Sequence, residues 1–107
     1  MNIGEASKAS GVSAKMIRHY ESIGLIGAAK RTDSGYRVYS TREVQMLQFI
    51  HRGRELGFSL EQIGALLALW QDKQRASKDV RALAQEHIAE LDRKIAEMQS
   101  MRRTLES

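Results

Sequence analysis

The polar and apolar positions of the first 24 residues predict two short helices separated by a turn. Asn2 with Glu5 forms a capping pattern that begins a first helix over residues 3–9, because the Asn side chain can accept an orphan backbone N–H. Ser13 caps a second helix running from Ala14 to Ile23. Two short helices joined by a glycine-containing turn are typical of a helix-turn-helix.

The next pattern predicts a small hairpin followed by two amphipathic helices. Residues 30–39 alternate in side-chain character on both sides of a turn cluster, which indicates a β-hairpin, or wing. Ser40 opens a third helix that extends to about Leu56 and closes the core of the first domain. Ser59 opens a fourth helix by the same capping chemistry, and this helix carries an apolar face.

A heptad pattern fills the last third of the chain, after a polar connection at 71–76. It begins near Ser77, and Arg102 interrupts it. A helix of about 28 residues would extend roughly 42 Å, further than so small a core can cover. Its apolar stripe therefore needs a partner, and the simplest one is a second copy of the chain, in an orientation that the heptad leaves open. The stripe residues, which we predict to form the dimer interface, are Ala84, Ile88, Leu91, Ile95, Met98 and Leu105.

These elements predict a mainly all-α protein: a winged helix-turn-helix DNA-binding domain with a small β-hairpin wing, plus a long C-terminal coiled-coil dimerisation helix. We place the DNA-binding domain, with its second helical pair, at residues 1–70 and the connection and dimerisation helix at 71–107. With six aromatic residues and no proline among 107, the composition favours helices over a sheet-rich fold.

The net positive charge of the chain comes from its first half. Of the net +4, residues 1–57 contribute nine Lys/Arg against five Asp/Glu, whereas residues 58–107 carry eight of each. A basic excess confined to one half favours a polyanion partner, because neutralising phosphates releases condensed counterions. A solvated surface without a partner explains the charge alone equally well.

The candidate base-reading residues lie on the second helix. Lys15, Arg18 and His19 share one face, since residues three and four apart are neighbours on a helix. Arg18 can bind guanine through a forked hydrogen bond, and Tyr20 can donate its hydroxyl to the DNA backbone. The alternative is an ordinary solvated helix face.

The wing and the third helix supply candidate phosphate contacts. Basic and aromatic residues interleave on the wing, a mixture suited to gripping phosphates. We assign Tyr39 to cross-strand packing and not to DNA contact. The candidates are Lys30, Arg31, Tyr36 and Arg37 on the wing, and Arg52 and Arg54 on the third helix.

Enzymatic and metal-dependent chemistry finds little support in this sequence. The chain has no cysteine, and His19, His51 and His87 fall on three different predicted helices without metal-ligand spacing. No P-loop, dinucleotide fingerprint or nucleophile elbow is present. No secretory signal and no apolar run of membrane-spanning length appears, so we expect a cytoplasmic protein without a membrane partner.

The stretch IGEASKASGVSAKMIRHYESIGLI followed by RTDSGYRVYS resembles the MerR family of bacterial transcriptional regulators. The motifs R-x-Y-E, G-L and G-Y-R-x-Y occur in the family's order, and GFSLEQIGALL is similar to its second helical pair. The resemblance implies an antiparallel coiled coil between two subunits. It also implies DNA contacts from Lys15, Arg18, Tyr20, Arg31, Tyr36, Arg37 and Arg54.

QRASKDV and IAEMQSMR look closest to the copper-efflux, or CueR-like, branch of that family, in which Ser77 falls at a position that carries serine. The resemblance implies a cysteine loop after the long helix, and we expect the native protein to continue past Ser107 to supply it. Cu(I) or a similar monovalent metal would then be the effector. A chain without cysteine lacks the soft thiolates that Cu(I) selects, so we expect these 107 residues not to bind or respond to the metal.

The resemblance implies a homodimer that binds a pseudo-palindromic promoter operator and distorts it, acting on RNA polymerase indirectly as repressor and activator. A metal (copper) efflux or resistance gene is the expected target. Three alternatives stay open from the sequence: an excisionase-like architectural DNA-bending protein, a MerR-family regulator with no metal effector, and a helical interaction module.

Overall fold

The computed structural model describes residues 1–71 and 78–107, without the side chains of residues 71, 78–80 and 83. It confirms the predicted fold class, a mainly helical chain with one small antiparallel hairpin. Two compact units are present, Met1–Gly64 and Ala65–Ser107. No helix within the described ranges is long and apolar enough to cross a membrane. The elements are α1 (Ile3–Ser10), α2 (Ala14–Ser22), β1 (Lys30–Arg31), β2 (Arg37–Val38), α3 (Thr41–Glu55), α4 (Leu60–Gln71) and α5 (Lys78–Glu106).

The helix starts follow the local capping patterns. The Asn2 side chain accepts the Glu5 amide while the Glu5 carboxylate accepts the Asn2 amide, which completes a capping box. Similar boxes precede α3 and α4, each satisfying backbone donors that a helix end leaves open. At the start of α2, the Ser13 hydroxyl accepts the Met16 amide at 3.2 Å.

Two helices end in Schellman motifs that require glycine. After α2, the Leu25 amide donates to the Tyr20 carbonyl at 2.9 Å, and Gly24 takes φ 77°. After α3, the Phe58 amide donates to the Gly53 carbonyl at 2.9 Å, and Gly57 takes φ 88°. Both glycines therefore occupy the left-handed region that a side chain disfavours.

The core of the first unit forms where α1 packs against α2 and α3. The Gln48 side chain ties α3 to α1 by donating to the Ala9 carbonyl at 2.9 Å. Farther along α3, the backbone at Gly53 comes so close to Ile63 that an added Cβ would lie 2.9 Å from its Cγ1 and Cδ1. The buried apolar residues of this unit are Ala6, Val12, Ile17, Tyr20, Ile26, Tyr39, Val44, Met46, Leu47, Ile50, Phe58 and Ile63.

The second unit contains α5, a continuous helix of 29 residues. At 1.5 Å per residue it extends about 44 Å, which agrees with the length expected from the heptad pattern. Of the connection predicted at 71–76, Gln71 belongs instead to the end of α4, and residues 72–76 lie outside the described residues, as does the predicted start at Ser77.

Candidate nucleic-acid interface

The two faces of α2 differ sharply in exposure. Ile17 is fully buried and Tyr20 is 6% exposed, so this side of the helix is fixed in the core. Lys15, Arg18 and His19 are exposed together on the opposite side. The burial of one face thus holds the three polar side chains outward on a rigid helix.

The wing is a very short antiparallel hairpin in which Lys30 pairs with Val38 and Arg31 with Arg37. Its turn is closed by the Gly35 amide, which donates to the Thr32 carbonyl at 2.9 Å while Gly35 takes φ 85°. That combination matches a three-residue hairpin loop ending in a left-handed glycine.

Cationic and aromatic groups project from this hairpin. Tyr36 is 73% exposed next to the turn. The Arg31 guanidinium is also exposed, and its Nη1 donates to the Gly35 carbonyl at 2.8 Å. The wing therefore presents an aromatic ring and an arginine within one small loop.

Glu21 links the back of α2 to both ends of the wing. Its Oε1 accepts the Ala29 amide at 3.0 Å, just before β1. Its Oε2 accepts Arg37 Nε at 3.2 Å and the Tyr39 hydroxyl at 3.4 Å, at and just after β2. One carboxylate, whose side chain is only 13% exposed, thus binds three donors from the wing.

Tyr39 lies at the base of the wing and is 2% exposed, so its ring is buried as a packing role requires, but it follows β2 and forms no cross-strand pair of the hairpin. Burial, and next the negative charge of Glu21, raise the pKa of its phenol above the ordinary value of 10.0. The nearby Arg37 charge acts in the opposite direction but does not cancel these effects. Tyr39 is therefore held as the neutral phenol, which is the form that donates to Glu21.

The two candidate phosphate-contacting arginines of α3, Arg52 and Arg54, lie in its last turn. Arg52 and Arg54 are both exposed, and Arg54 Nη1 donates to the Phe58 carbonyl at 3.1 Å across the end of the helix. This contact stabilises the turn after α3 and still leaves further guanidinium donors for a phosphate.

The apolar stripe of α5 is largely exposed in a single chain. Ile88, Ile95 and Met98 are each about half exposed, Leu105 is 85% exposed, and Ala84 and Leu91 are intermediate. Such a row of apolar side chains on one helix face is unfavourable in water unless another surface covers it.

Two residues of the site were not assigned a role from the sequence. Glu21 was recognised only as part of R-x-Y-E; its position as a single carboxylate among the cations of α2 was the available signal. Met101 is 67% exposed beside the α5 stripe but falls outside the heptad positions. Its partners depend on how the stripe is covered.

An outward-facing basic helix, a preceding helix that packs across it, and a wing tied to its back define a winged helix-turn-helix DNA-binding protein. Comparison with known sequences identifies the family. Residues 1–69 match the model described as MerR HTH family regulatory protein, and residues 44–107 match the one described as MerR, DNA binding. The chain belongs to the MerR family of helix-turn-helix transcriptional regulators.

Two curated relatives and one solved structure illustrate the match. The chain is 66% identical to heavy metal-dependent transcription regulator 2 of Rhizobium meliloti (strain 1021), covering 98% of this chain and 71% of that one. It is 41% identical to the transcriptional regulator CueR of Escherichia coli O157:H7, over 98% and 78% of the two chains. The crystal structure of a MerR family regulator from Listeria monocytogenes superposes with a TM-score of 0.81 at 34% identity, covering 99% and 80%.

These comparisons confirm the predicted family and its likeness to copper- and heavy-metal-type regulators. They also confirm a regulator and not an enzyme, because the relatives are transcriptional regulators.

Proposed function

We propose that this regulator binds a pseudo-palindromic promoter operator as a homodimer, with residues 1–70 as the reader and 71–107 as the connection and dimerisation helix. The proposal rests chiefly on one observation: α2 buries Ile17 and Tyr20 while presenting Lys15, Arg18 and His19 together to solvent. An α-helix with this arrangement fits the width of a major groove.

Within this proposal the contacts divide by chemistry. Arg18 reads guanine through its forked donors, and Lys15 and His19 supplement it with base or phosphate contacts. The wing and the end of α3 hold the flanking backbone through side chains that are exposed or half-buried. Tyr20, although largely buried, contributes its hydroxyl to a phosphate. The phosphate contacts are Tyr20, Arg31, Tyr36, Arg37 and Arg54.

The homodimer forms through the exposed stripe of α5. Residues at alternating steps of four and three form one seam, and a second copy presents the same seam under two-fold symmetry. We take the helices as antiparallel, as the family resemblance implies. The DNA-binding domains of the two subunits then contact the two half-sites of an inverted repeat.

Control of transcription follows from distortion of the bound promoter. Bending a site of this size costs on the order of 1–6 kcal/mol by elastic estimates, and phosphate contacts from two wings and two α3 helices offset it. The protein acts in the cytoplasm, reaches RNA polymerase through the shape of the promoter, and has both repressing and activating states.

The regulated gene is a metal efflux or resistance gene, with copper as the metal. This proposal is supported by the names of the relatives, a heavy metal-dependent regulator and CueR. The residues present do not fit the metal itself: the chain has no cysteine, and the described residues contain no cluster of three metal-ligating side chains. We therefore expect these 107 residues to bind the operator equally with and without Cu(I).

The experiment that tests operator binding is selection from a random-sequence duplex library. We expect the selected sites to contain two inverted half-sites and their binding to weaken steeply with salt, because the contacts release counterions. Selected sequences without symmetry, or affinity that salt does not change, would contradict the proposal.

Two arginine variants test the division of contacts. Arg18→Ala should lose about 1–3 kcal/mol of preference for the selected site over random DNA, whereas Arg37→Ala should weaken both by similar factors. Arg103→Ala removes an exposed charge from α5 and serves as the control. The assignment is wrong if the Arg18 and Arg37 variants behave alike.

The dimer is tested by a charge placed in the middle of the stripe. Ile95→Glu should shift the sedimentation coefficient towards that of a monomer, because a buried unpaired carboxylate opposes association. A dimer that survives this substitution unchanged would require a different interface.

A further inference from the structure

The Glu21 carboxylate lies where simple electrostatics would not favour a carboxylate. It belongs to α2, the proposed recognition helix, in the half of the chain that carries the net positive charge and whose proposed partner is a polyanion. It is nevertheless well shielded and bound to the Ala29 amide, the Arg37 guanidinium and the Tyr39 hydroxyl. Glu21 is not itself among the proposed DNA contacts.

Among the described residues, few other hydrogen bonds hold the wing in its orientation. Its strands are two residues each, and an isolated two-stranded hairpin is marginal in water. Besides the Glu21 bonds, Met1 and Tyr39 exchange two backbone hydrogen bonds of 2.9 and 2.7 Å at the end of β2. At the entry to β1, the described hydrogen bond to α2 is that of the Ala29 amide to Glu21.

The bond to Arg37 also orients a proposed phosphate contact. It occupies Nε alone, and a guanidinium has four further N–H donors. A charge-assisted bond between a guanidinium and a carboxylate is directional and stronger than a neutral one, and at 3.2 Å this one is longer than the usual distance of about 2.7–2.9 Å. An arginine held at Nε by a partly buried carboxylate has little rotamer freedom left to lose when it binds a phosphate.

We propose that Glu21 is a positioning residue for DNA binding: its carboxylate fixes the wing to the recognition helix and aligns Arg37 with the DNA backbone without touching DNA. The DNA part of this inference rests on the proposed function. The fixing of the wing does not, and it can be measured on the free protein.

The test substitutes Glu21→Gln in the full chain and measures two quantities. The first is NMR order in the free protein, where we expect the amides of residues 32–36 to become more mobile while those of α1 and α3 keep their order. The second is affinity for a mixed-sequence duplex between 50 and 200 mM salt, which should weaken by about tenfold.

The sign of the affinity change separates positioning from charge repulsion. If Glu21 only repelled phosphates, neutralising it would tighten binding, and that result would overturn the proposal. Unchanged wing order in Glu21→Gln would overturn it as well. Glu55→Gln is the matched control: Glu55 is an exposed carboxylate paired with His51 at 3.2 Å on α3, and its loss should leave wing order and DNA binding unchanged.

Two further variants keep the test decisive. If Glu21→Gln fails to fold, Glu21→Asp retains the charge but shortens the side chain, and it should also loosen the wing. The double variant with Arg37→Ala should lose less affinity than the sum of the two single losses, because both changes remove the same Glu21–Arg37 interaction. Penalties that simply add would contradict the role assigned to the pair. A wild-type chain that ignores DNA would refute the proposed function, while the order measurement would still decide the role of Glu21 in fixing the wing.

Discussion

The contact between Gly53 and Ile63 predicts the sign of the change in unfolding free energy that Gly53→Ala would cause. A methyl group added at Gly53 would lie 2.9 Å from both Cγ1 and Cδ1 of Ile63, a residue with no exposed surface. Carbon atoms prefer separations of about 3.5–4.0 Å, so the buried Ile63 side chain or the helices that hold it would have to shift by roughly 0.6–1.1 Å. Because interiors are close-packed, neighbouring side chains would also have to move.

Two opposing effects set the magnitude for Gly53→Ala. Replacing a helical glycine by alanine stabilises a helix by about 1 kcal/mol, whereas overpacking a core costs about 1–3 kcal/mol. We therefore expect a net loss of up to about 2 kcal/mol in the free energy of unfolding. Ile63→Val, which removes Cδ1, should cost about 0.5–1.5 kcal/mol alone but less in the Gly53→Ala background.

The assay is urea unfolding of the two single variants and the double variant at one protein concentration, since association also shifts apparent stability. Gly4→Ala is the matched control, because Gly4 is helical and its added Cβ would meet only Asn2 Oδ1 at 3.4 Å. That control should be neutral or stabilising. The reasoning is refuted if Gly53→Ala stabilises the protein as much as Gly4→Ala does and shows no coupling to Ile63→Val.

Two other predictions concern stability. Because the pKa of Tyr39 is raised on folding, the folded state favours the neutral phenol. The contribution of this group to the free energy of unfolding is therefore complete below pH 10.0 and is lost as the pH rises through the pKa of the folded state. In urea unfolding from pH 8 to 11, the free energy of unfolding should fall less steeply with pH for Tyr39→Phe than for wild type. Equal slopes for the two proteins would contradict the raised pKa of Tyr39. Gly57→Ala forces a side chain to φ 88° and should destabilise the protein by about 1–2 kcal/mol, measured by the same method. Gly27→Ala, at a glycine without positive φ and with open space around its Cβ, should cost much less.

Helix starts and helix faces could be predicted from the sequence because they depend on residues three and four apart. Asn2 with Glu5 forms the capping box expected of it, and Ser40 with Glu43 does the same. The buried side of α2 likewise follows from the spacing of its apolar residues. The helix limits differ by one residue: α1 extends to Ser10 and α2 ends at Ser22.

The candidate DNA-contact residues could be named from the sequence because exposed basic side chains on a helix and a wing need no tertiary partner to be recognised. Glu21 could not be given its role in this way. Its partners lie 8, 16 and 18 residues away, and nothing in a local pattern states which donors a carboxylate will meet.

The order of the elements, their caps, the basic face of α2 and the apolar stripe of α5 follow from the amino-acid pattern alone, since each arises from interactions within one helix turn or one repeat. Two features follow instead from how the chain folds in three dimensions: one carboxylate binds the wing to α2, and α3 and α4 approach closely enough to require glycine at 53. Both features depend on backbone segments brought together by burial of the core, and their distances follow from packing.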